Sequence, residues 1–135
     1  MNSASFSVRL SVVVLTFFLV VGCSKKTNPL APFQPEITNV QDNFQFQATG
    51  VTNITATLDY IWRNSGTTAN VNQACTITGG TATLTIFDDS LVQVYTKDLK
   101  VNGTDTTFAG IAGHWTIRVS LTDVSGTLNF RVQKR

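Results

Sequence analysis

Residues 113–122 read GHWTIRVSLT, and this stretch decides the fold class that the sequence predicts. Its apolar positions alternate with polar ones, at Trp115, Ile117, Val119 and Leu121. Because successive side chains of a β-strand point to opposite faces, a period of two predicts one buried face and one solvated face. The stretch is therefore typical of a half-buried β-strand.

The same alternation continues along the chain in both directions. Downstream, Leu128, Phe130 and Val132 share a face, and Asp123–Gly126 predicts a turn that makes a terminal hairpin. Upstream, further strands are predicted at Phe44–Ala48, Ile54–Trp62, Val71–Ile77, Ala82–Ile86, Leu91–Tyr95 and Thr106–Phe108. Turns are predicted between them at Asn64–Gly66, Gly79–Gly80, Asp88–Ser90 and Asn102–Gly103.

These elements predict an all-β domain over residues 36–135. Seven or eight short strands with regular turns indicate an antiparallel two-sheet β-sandwich. No stretch after the N-terminal region has a convincing apolar period of 3.6 residues, so helices are not expected there.

The N-terminal region carries a different pattern. Leu10–Gly22 is a run of thirteen residues interrupted only by Ser11 and Thr16. As a helix this run would be about 20 Å long, shorter than the ~30 Å hydrocarbon core of a bilayer. The length is that of a signal-peptide apolar core, and Arg9 supplies a weakly basic lead-in.

The run ends in Val20-Val21-Gly22-Cys23, which resembles the lipobox of bacterial lipoproteins. The resemblance implies cleavage between Gly22 and Cys23, with acylation of the Cys23 thiol and of the new amino group. It also implies a helical signal peptide at 1–22. Ser24 follows the cysteine, and the family's sorting pattern then implies an outer-membrane location in the bacterial envelope. The alternative is an ordinary secretory signal that a cysteine follows by chance.

Residues 23–35 are expected to connect the anchor to the domain. The three prolines of the chain, Pro29, Pro32 and Pro35, lie here and favour an extended, flexible tether. Lys25 and Lys26 would lie near anionic lipid headgroups. In the alternative arrangement, Leu30 and Phe33 fold back onto the domain.

Charge and size limit the function classes. The chain has 135 residues with a formal net charge of +2, and removing residues 1–22 removes only Arg9. A nearly neutral mature chain argues against a general nucleic-acid binder. The part that remains has the length of one domain with its own core.

A second resemblance lies in Gly113–Val119, where Gly-x-Trp-x-apolar-x-Val is similar to a strand of many secreted bacterial immunoglobulin-like β-sandwiches. It implies an immunoglobulin-like fold and transfers no active residue. The pair of cysteines around a tryptophan that marks antibody domains is absent from the sequence.

Few residues are candidates for chemistry. Cys75, the only cysteine after the anchor, is expected to be a small buried apolar residue, with an intermolecular disulfide as the alternative. His114 is the sole histidine and cannot by itself make a histidine-based zinc site. Asp88 and Asp89 are expected to be turn formers, with a calcium site as the alternative.

No catalytic, cofactor or metal constellation is found, so the chain is expected not to be an enzyme. The expected function is that of a membrane-anchored envelope lipoprotein. Its β-sandwich would act as a non-catalytic binding or structural module, with a protein or glycan as partner. The alternative is an accessory module of a secreted or surface hydrolase. A third possibility, a small enzyme using Asp88, Asp89 and His114, requires these residues to converge on a pocket.

Overall fold

The computed structural model describes residues 27–135, and over that range the protein is all-β. The predicted fold class is confirmed at this level, because the seven strands form an antiparallel sheet. The strands are β1 (Glu36–Val40), β2 (Asn43–Asn64), β3 (Ala69–Gln73), β4 (Thr76–Phe87), β5 (Gln93–Asp98), β6 (Gly103–Thr106) and β7 (Gly113–Lys134). The predicted signal helix, Gly22 and Cys23 lie outside the described residues.

Two strands of 22 residues each, β2 and β7, form the centre of the sheet. They pair antiparallel from Asn43 opposite Gln133 to Asn64 opposite Gly113. On the other edge of β7, β4 pairs with the first part of the strand and β3 pairs with the last part. The outer strands are β1 on β2, β5 on β4 and β6 on β3.

The sheet bends back on itself in the middle of β2. A straight strand of this length would extend over roughly 70 Å, yet the Asp42 N–H, just before β2, donates to the carbonyl of Arg63 at 2.9 Å. The register between β2 and β7 shifts three times between Ala48 and Ala56, and the register between β4 and β7 shifts twice between Ile77 and Thr81. Such bulges increase the local bend and twist of a strand.

Two predicted turns are wrong for this reason. Asp123–Gly126 lies within β7 and Gly79–Gly80 lies within β4, so neither segment forms the turn of a hairpin. Gly126 and Gly80 have positive φ angles, 129° and 73°, which allow the two strands to bend at these positions. The terminal hairpin predicted from residues 113–132 is therefore one continuous strand. Asn102–Gly103 lies where the loop between β5 and β6 ends, and β6 overlaps the predicted Thr106–Phe108 strand only at Thr106.

The core follows the predicted alternation closely. Trp62 and Trp115 are fully buried and meet edge to face, with ring centroids 6.0 Å apart. Each indole N–H has a carbonyl partner, Val40 for Trp62 and Ile111 for Trp115. The side chains predicted to face inward on the terminal strand are also buried, namely Ile117, Val119, Leu121, Leu128, Phe130 and Val132.

The chain before β1 packs against this core. Leu30 is fully buried, and Phe33 lies in a short 3-10 helix, Ala31–Phe33, and packs on the core. Both side chains therefore fold back onto the domain, as the alternative arrangement predicted. Thr27 is thus only three residues from the core.

We predict that Gly126→Ala lowers the free energy of unfolding by more than about 2 kcal/mol, because the backbone there disfavours a side chain and any Cβ also clashes. A Cβ at Gly126 would lie 2.1 Å from the carbonyl oxygen of Thr76. Gly50→Ala is the matched control, since Gly50 also has positive φ but nothing lies within 4 Å. Urea unfolding of both variants measures the difference, and equal losses would contradict this account of the bend.

Candidate binding surface

Of the residues singled out in the sequence, Asp88, Asp89 and His114 lie close together where the β4–β5 and β6–β7 loops meet, and Cys75 lies apart from them beside Asn102 and Asn129. Cys75 is buried, and its thiol exchanges hydrogen bonds with the backbone N–H and carbonyl of Asn129, both at 3.3 Å. Burial raises the pKa of this thiol. The prediction of a buried small apolar residue is confirmed, and the thiol is poorly suited to react.

His114 and Asp89 are exposed neighbours near the start of β7. The His114 backbone N–H donates to Asp89 Oδ1 at 2.8 Å, and the imidazole Nδ1 lies 4.0 Å from the same oxygen. Among residues 27–135, no group of three or more histidine, cysteine or acidic side chains is placed to hold a metal ion. Asp89 thus holds the backbone at the start of β7.

Asp88 is buried and joins two loops. Its Oδ1 accepts the backbone N–H groups of Ser90 and Val92, and its Oδ2 accepts that of Ile111 at 2.9 Å. The N–H of Ile111, followed by those of Val92 and Ser90, lowers the pKa of this carboxyl despite the opposing effect of burial. The carboxylate therefore fixes the β4–β5 loop to the β6–β7 loop.

These two loops carry four strongly exposed apolar side chains, and a fifth, Ile61, lies on β2 and lines the same groove as Leu91. We define the loop-end patch as Ile61, Leu91, Val92, Phe108 and Ile111, which are between 55% and 82% exposed. Leu91 and Ile61 line one groove, while the Phe108 N–H donates to Val94 and holds the second loop beside β5. Exposed apolar side chains of this size make the loop-end patch a candidate contact surface.

Leu91 has an unusual backbone conformation. Its φ is 61°, and the four other non-glycine residues with positive φ are Gln34, Asp42, Asn53 and Asp123. Leucine is disfavoured in this left-handed region, where asparagine and aspartate are tolerated. The side chain is nevertheless 72% exposed, so packing within the domain does not explain a leucine here. Strained residues of this kind concentrate at functional sites.

A charged pair borders the patch. Arg118 on β7 makes a bidentate contact with Asp59 on β2, with Nε–Oδ1 at 2.7 Å and Nη2–Oδ2 at 2.8 Å. Its guanidinium also lies 5.3 Å from the ring centre of Phe87. The Arg118 hydrogen bond lowers the pKa of Asp59, and the same contact raises that of Arg118. Together with Ile61, Leu91 and Thr116, they line a groove of about 340 Å³.

A second polar group lies between β5 and β6. The Tyr95 hydroxyl donates to Gln73 at 3.0 Å, and Lys97 makes an ion pair with Asp105. Burial raises the pKa of Tyr95, with Asp105 adding to the effect. Each of these side chains has a partner within the domain, which holds β5 against β3 and β6.

Sequence reasoning missed the loop-end patch. Leu91 and Val92 were assigned to a strand, whereas β5 begins at Gln93 and both residues belong to the loop. The available signal was the pair of apolar residues that directly follows the Asp88–Ser90 turn. The pairing of Asp59 with Arg118 could not be predicted from the sequence alone. It depends on the register of β2 against β7, which places these two residues opposite each other.

No protein family model matches this chain, and no curated protein sequence matches it significantly. Over residues 27–135, no helix has the length and apolar character needed to cross a membrane. The geometry of residues 27–135 and the sequence that precedes them are therefore what indicate the function.

We predict that Leu91→Asn leaves the fold intact and raises the free energy of unfolding by up to about 1 kcal/mol, because asparagine tolerates the left-handed conformation. Val92→Asn is the control, since Val92 is exposed on the same loop without positive φ, and it should change stability by less than about 0.5 kcal/mol. Thermal unfolding of both variants tests this. A clear loss of stability in Leu91→Asn would contradict the strain argument.

We predict that the difference in stability between Asp88→Asn and the parent protein depends on pH. Because folding lowers the pKa of Asp88, its carboxylate stabilises the fold above the ordinary carboxyl pKa, and this stabilisation is lost as the pH falls through the lowered value. The variant should be less stable at neutral pH, with the gap closing in acid. Parallel curves of stability against pH would show that the carboxylate does not fix the loops.

In a Cys23→Ala variant, Cys75 is the only thiol. We expect it not to react with a disulfide reagent at neutral pH while the protein is folded, and to react fully in urea, because burial hinders both access and ionisation. Rapid labelling of the folded chain, or a disulfide-linked dimer, would favour the intermolecular alternative.

Proposed function

We propose that this protein is a bacterial envelope lipoprotein anchored through acylated Cys23, with a non-catalytic binding or structural module. The module works by surface contact, and the loop-end patch is its contact surface. The observation that carries the proposal is the presence of four strongly exposed apolar side chains, Leu91, Val92, Phe108 and Ile111, on two loops that a buried carboxylate joins.

The anchor part of the proposal rests on the sequence. The thirteen-residue apolar run and Val20-Val21-Gly22-Cys23 support signal cleavage after Gly22, and Ser24 after the cysteine supports an outer-membrane location. The position of Leu30 in the core supports a short tether, because the packed domain begins within a few residues of the anchor. Acyl chains on Cys23 would give stable attachment, which a single chain does not.

The non-catalytic part rests on how the candidate groups are engaged. Asp88 accepts three backbone N–H groups, Cys75 is buried, and Asp89 holds the backbone of His114. Catalysis by these residues would need them around one concave pocket. The grooves beside β5, along Thr55–Tyr60 of β2 and between Ile61 and Leu91 are not lined by Asp88, Asp89 or His114.

We further propose that the bent sheet is a two-layer, immunoglobulin-like β-sandwich. The hydrogen bond from Asp42 to Arg63 supports this, because it returns the end of β2 to its beginning. The contact of Tyr95 on β5 with Gln73 on β3 also supports it, since these strands are not neighbours in the sheet. The resemblance at Gly113–Val119 is the reason for the immunoglobulin-like assignment.

The anchor is tested by the intact mass of the mature protein extracted from the membrane fraction. We expect a chain that begins at Cys23 and carries a diacylglyceryl group and an amide-linked acyl chain. Cys23→Ala is the matched control and should remain an uncleaved precursor without acyl mass. A bare mature chain in the soluble fraction, unaffected by Cys23→Ala, would refute the anchor.

A further inference from the structure

We infer that the loop-end patch contacts the lipid bilayer that holds the acylated Cys23. The inference rests on the proposed anchor and names the partner of the same surface. On this basis the domain is seated on the membrane with the β4–β5 and β6–β7 loops against the headgroup region. A protein that covers the patch is the competing arrangement.

The first argument is the length of the connection. Thr27 is four residues after Cys23, and four extended residues span at most about 14 Å. The chain then reaches the core at Leu30. A domain held this close cannot move far from the lipid surface, so part of its own surface must face the bilayer.

The second argument is where the chain leaves the domain. Thr27, Asn28 and Pro29 line a groove of about 600 Å³ along Thr55–Tyr60 of β2. Asp59 lines this groove and also the groove that contains Ile61 and Leu91. The exit point of the tether is therefore adjacent to the part of the loop-end patch formed by Ile61 and Leu91, and the short tether brings both towards the bilayer.

The third argument is the chemistry of the patch. Leucine, valine, isoleucine and phenylalanine side chains at loop tips enter the acyl boundary readily, and basic groups around them favour anionic headgroups. Arg63, exposed on β2 beside Ile61, and Arg135 at the chain end near Thr68 supply positive charge. Lys25 and Lys26 add to it from the tether.

The fourth argument is rigidity. Asp88 orders both loops before any contact is made, so seating the patch costs little conformational entropy. Acylation also makes the contact intramolecular, which raises its effective concentration at the membrane. Weak apolar contacts then suffice to orient the domain.

Quenching by brominated lipid tests this orientation. The mature acylated protein is reconstituted into phosphatidylethanolamine and phosphatidylglycerol vesicles, with or without bromine on the acyl chains. Phe108→Trp places a reporter on the patch, next to β6 and on the far edge of the sheet from β1. Val101→Trp is the matched control, because Val101 is 51% exposed and lies in the β5–β6 loop, at the opposite ends of these strands. Fluorescence of the buried Trp62 and Trp115 is subtracted using the unsubstituted protein.

We expect bromine to remove much of the Phe108→Trp emission and to leave Val101→Trp emission unchanged. Adding Leu91→Asn should reduce the quenching at position 108, whereas adding Val101→Asn should not. Equal quenching at positions 108 and 101, or none at position 108 in an acylated protein, would overturn the inference and leave the anchor standing.

Two further results separate the inference from its foundation. An intact mass without acyl groups would remove the anchor, and with it the tether argument. An acylated protein with an unquenched patch, from which Leu91→Asn abolishes chemical cross-links to a neighbouring protein, would assign the patch to a protein partner. Both results overturn the membrane contact, and only the first also overturns the proposed function.

Discussion

The pairing of β2 with β7 over their full length is the constraint on which the rest of the structure depends. Both strands have 22 residues, so the pair can serve a small domain only if it bends. Bulges and close-packed glycines allow the bend, and the Asp42–Arg63 hydrogen bond joins the ends of β2. Because β3 and β4 both pair with β7, and β6 and β5 pair with them in turn, the course of this one strand positions four others.

Bending of the central pair also creates the proposed contact surface. The β4–β5 and β6–β7 loops meet at one end of the strands, and the buried Asp88 carboxylate joins them. The domain is thus firm where its apolar side chains are most exposed, and Leu91 keeps a conformation that leucine disfavours. A rigid loop pair of this kind suits recognition of a surface better than it suits chemistry, since its polar groups are engaged in holding the backbone.

Much of the core could be predicted from alternation alone. The inward side chains of β7, from Trp115 to Val132, were assigned to the correct face because a period of two is set by local strand geometry. Turn signals were less reliable, since Asp123–Gly126 and Gly79–Gly80 have the composition of turns but lie at bends in long strands. Glycine with positive φ is found both in turns and at bends within long strands, and which of the two forms depends on how the neighbouring strands pair.

By itself, the sequence determined the all-β class and the buried face of each main strand, because each depends on side chains close together along the chain. Tertiary structure decided the continuity of β2 and β7, the burial of Leu30 and the meeting of the loops around Asp88. It also decided the pairing of Arg118 with Asp59. Asp88 and Ile111 are 23 positions apart and Asp59 and Arg118 are 59 apart, so tertiary structure and strand register rather than local pattern set which residues meet.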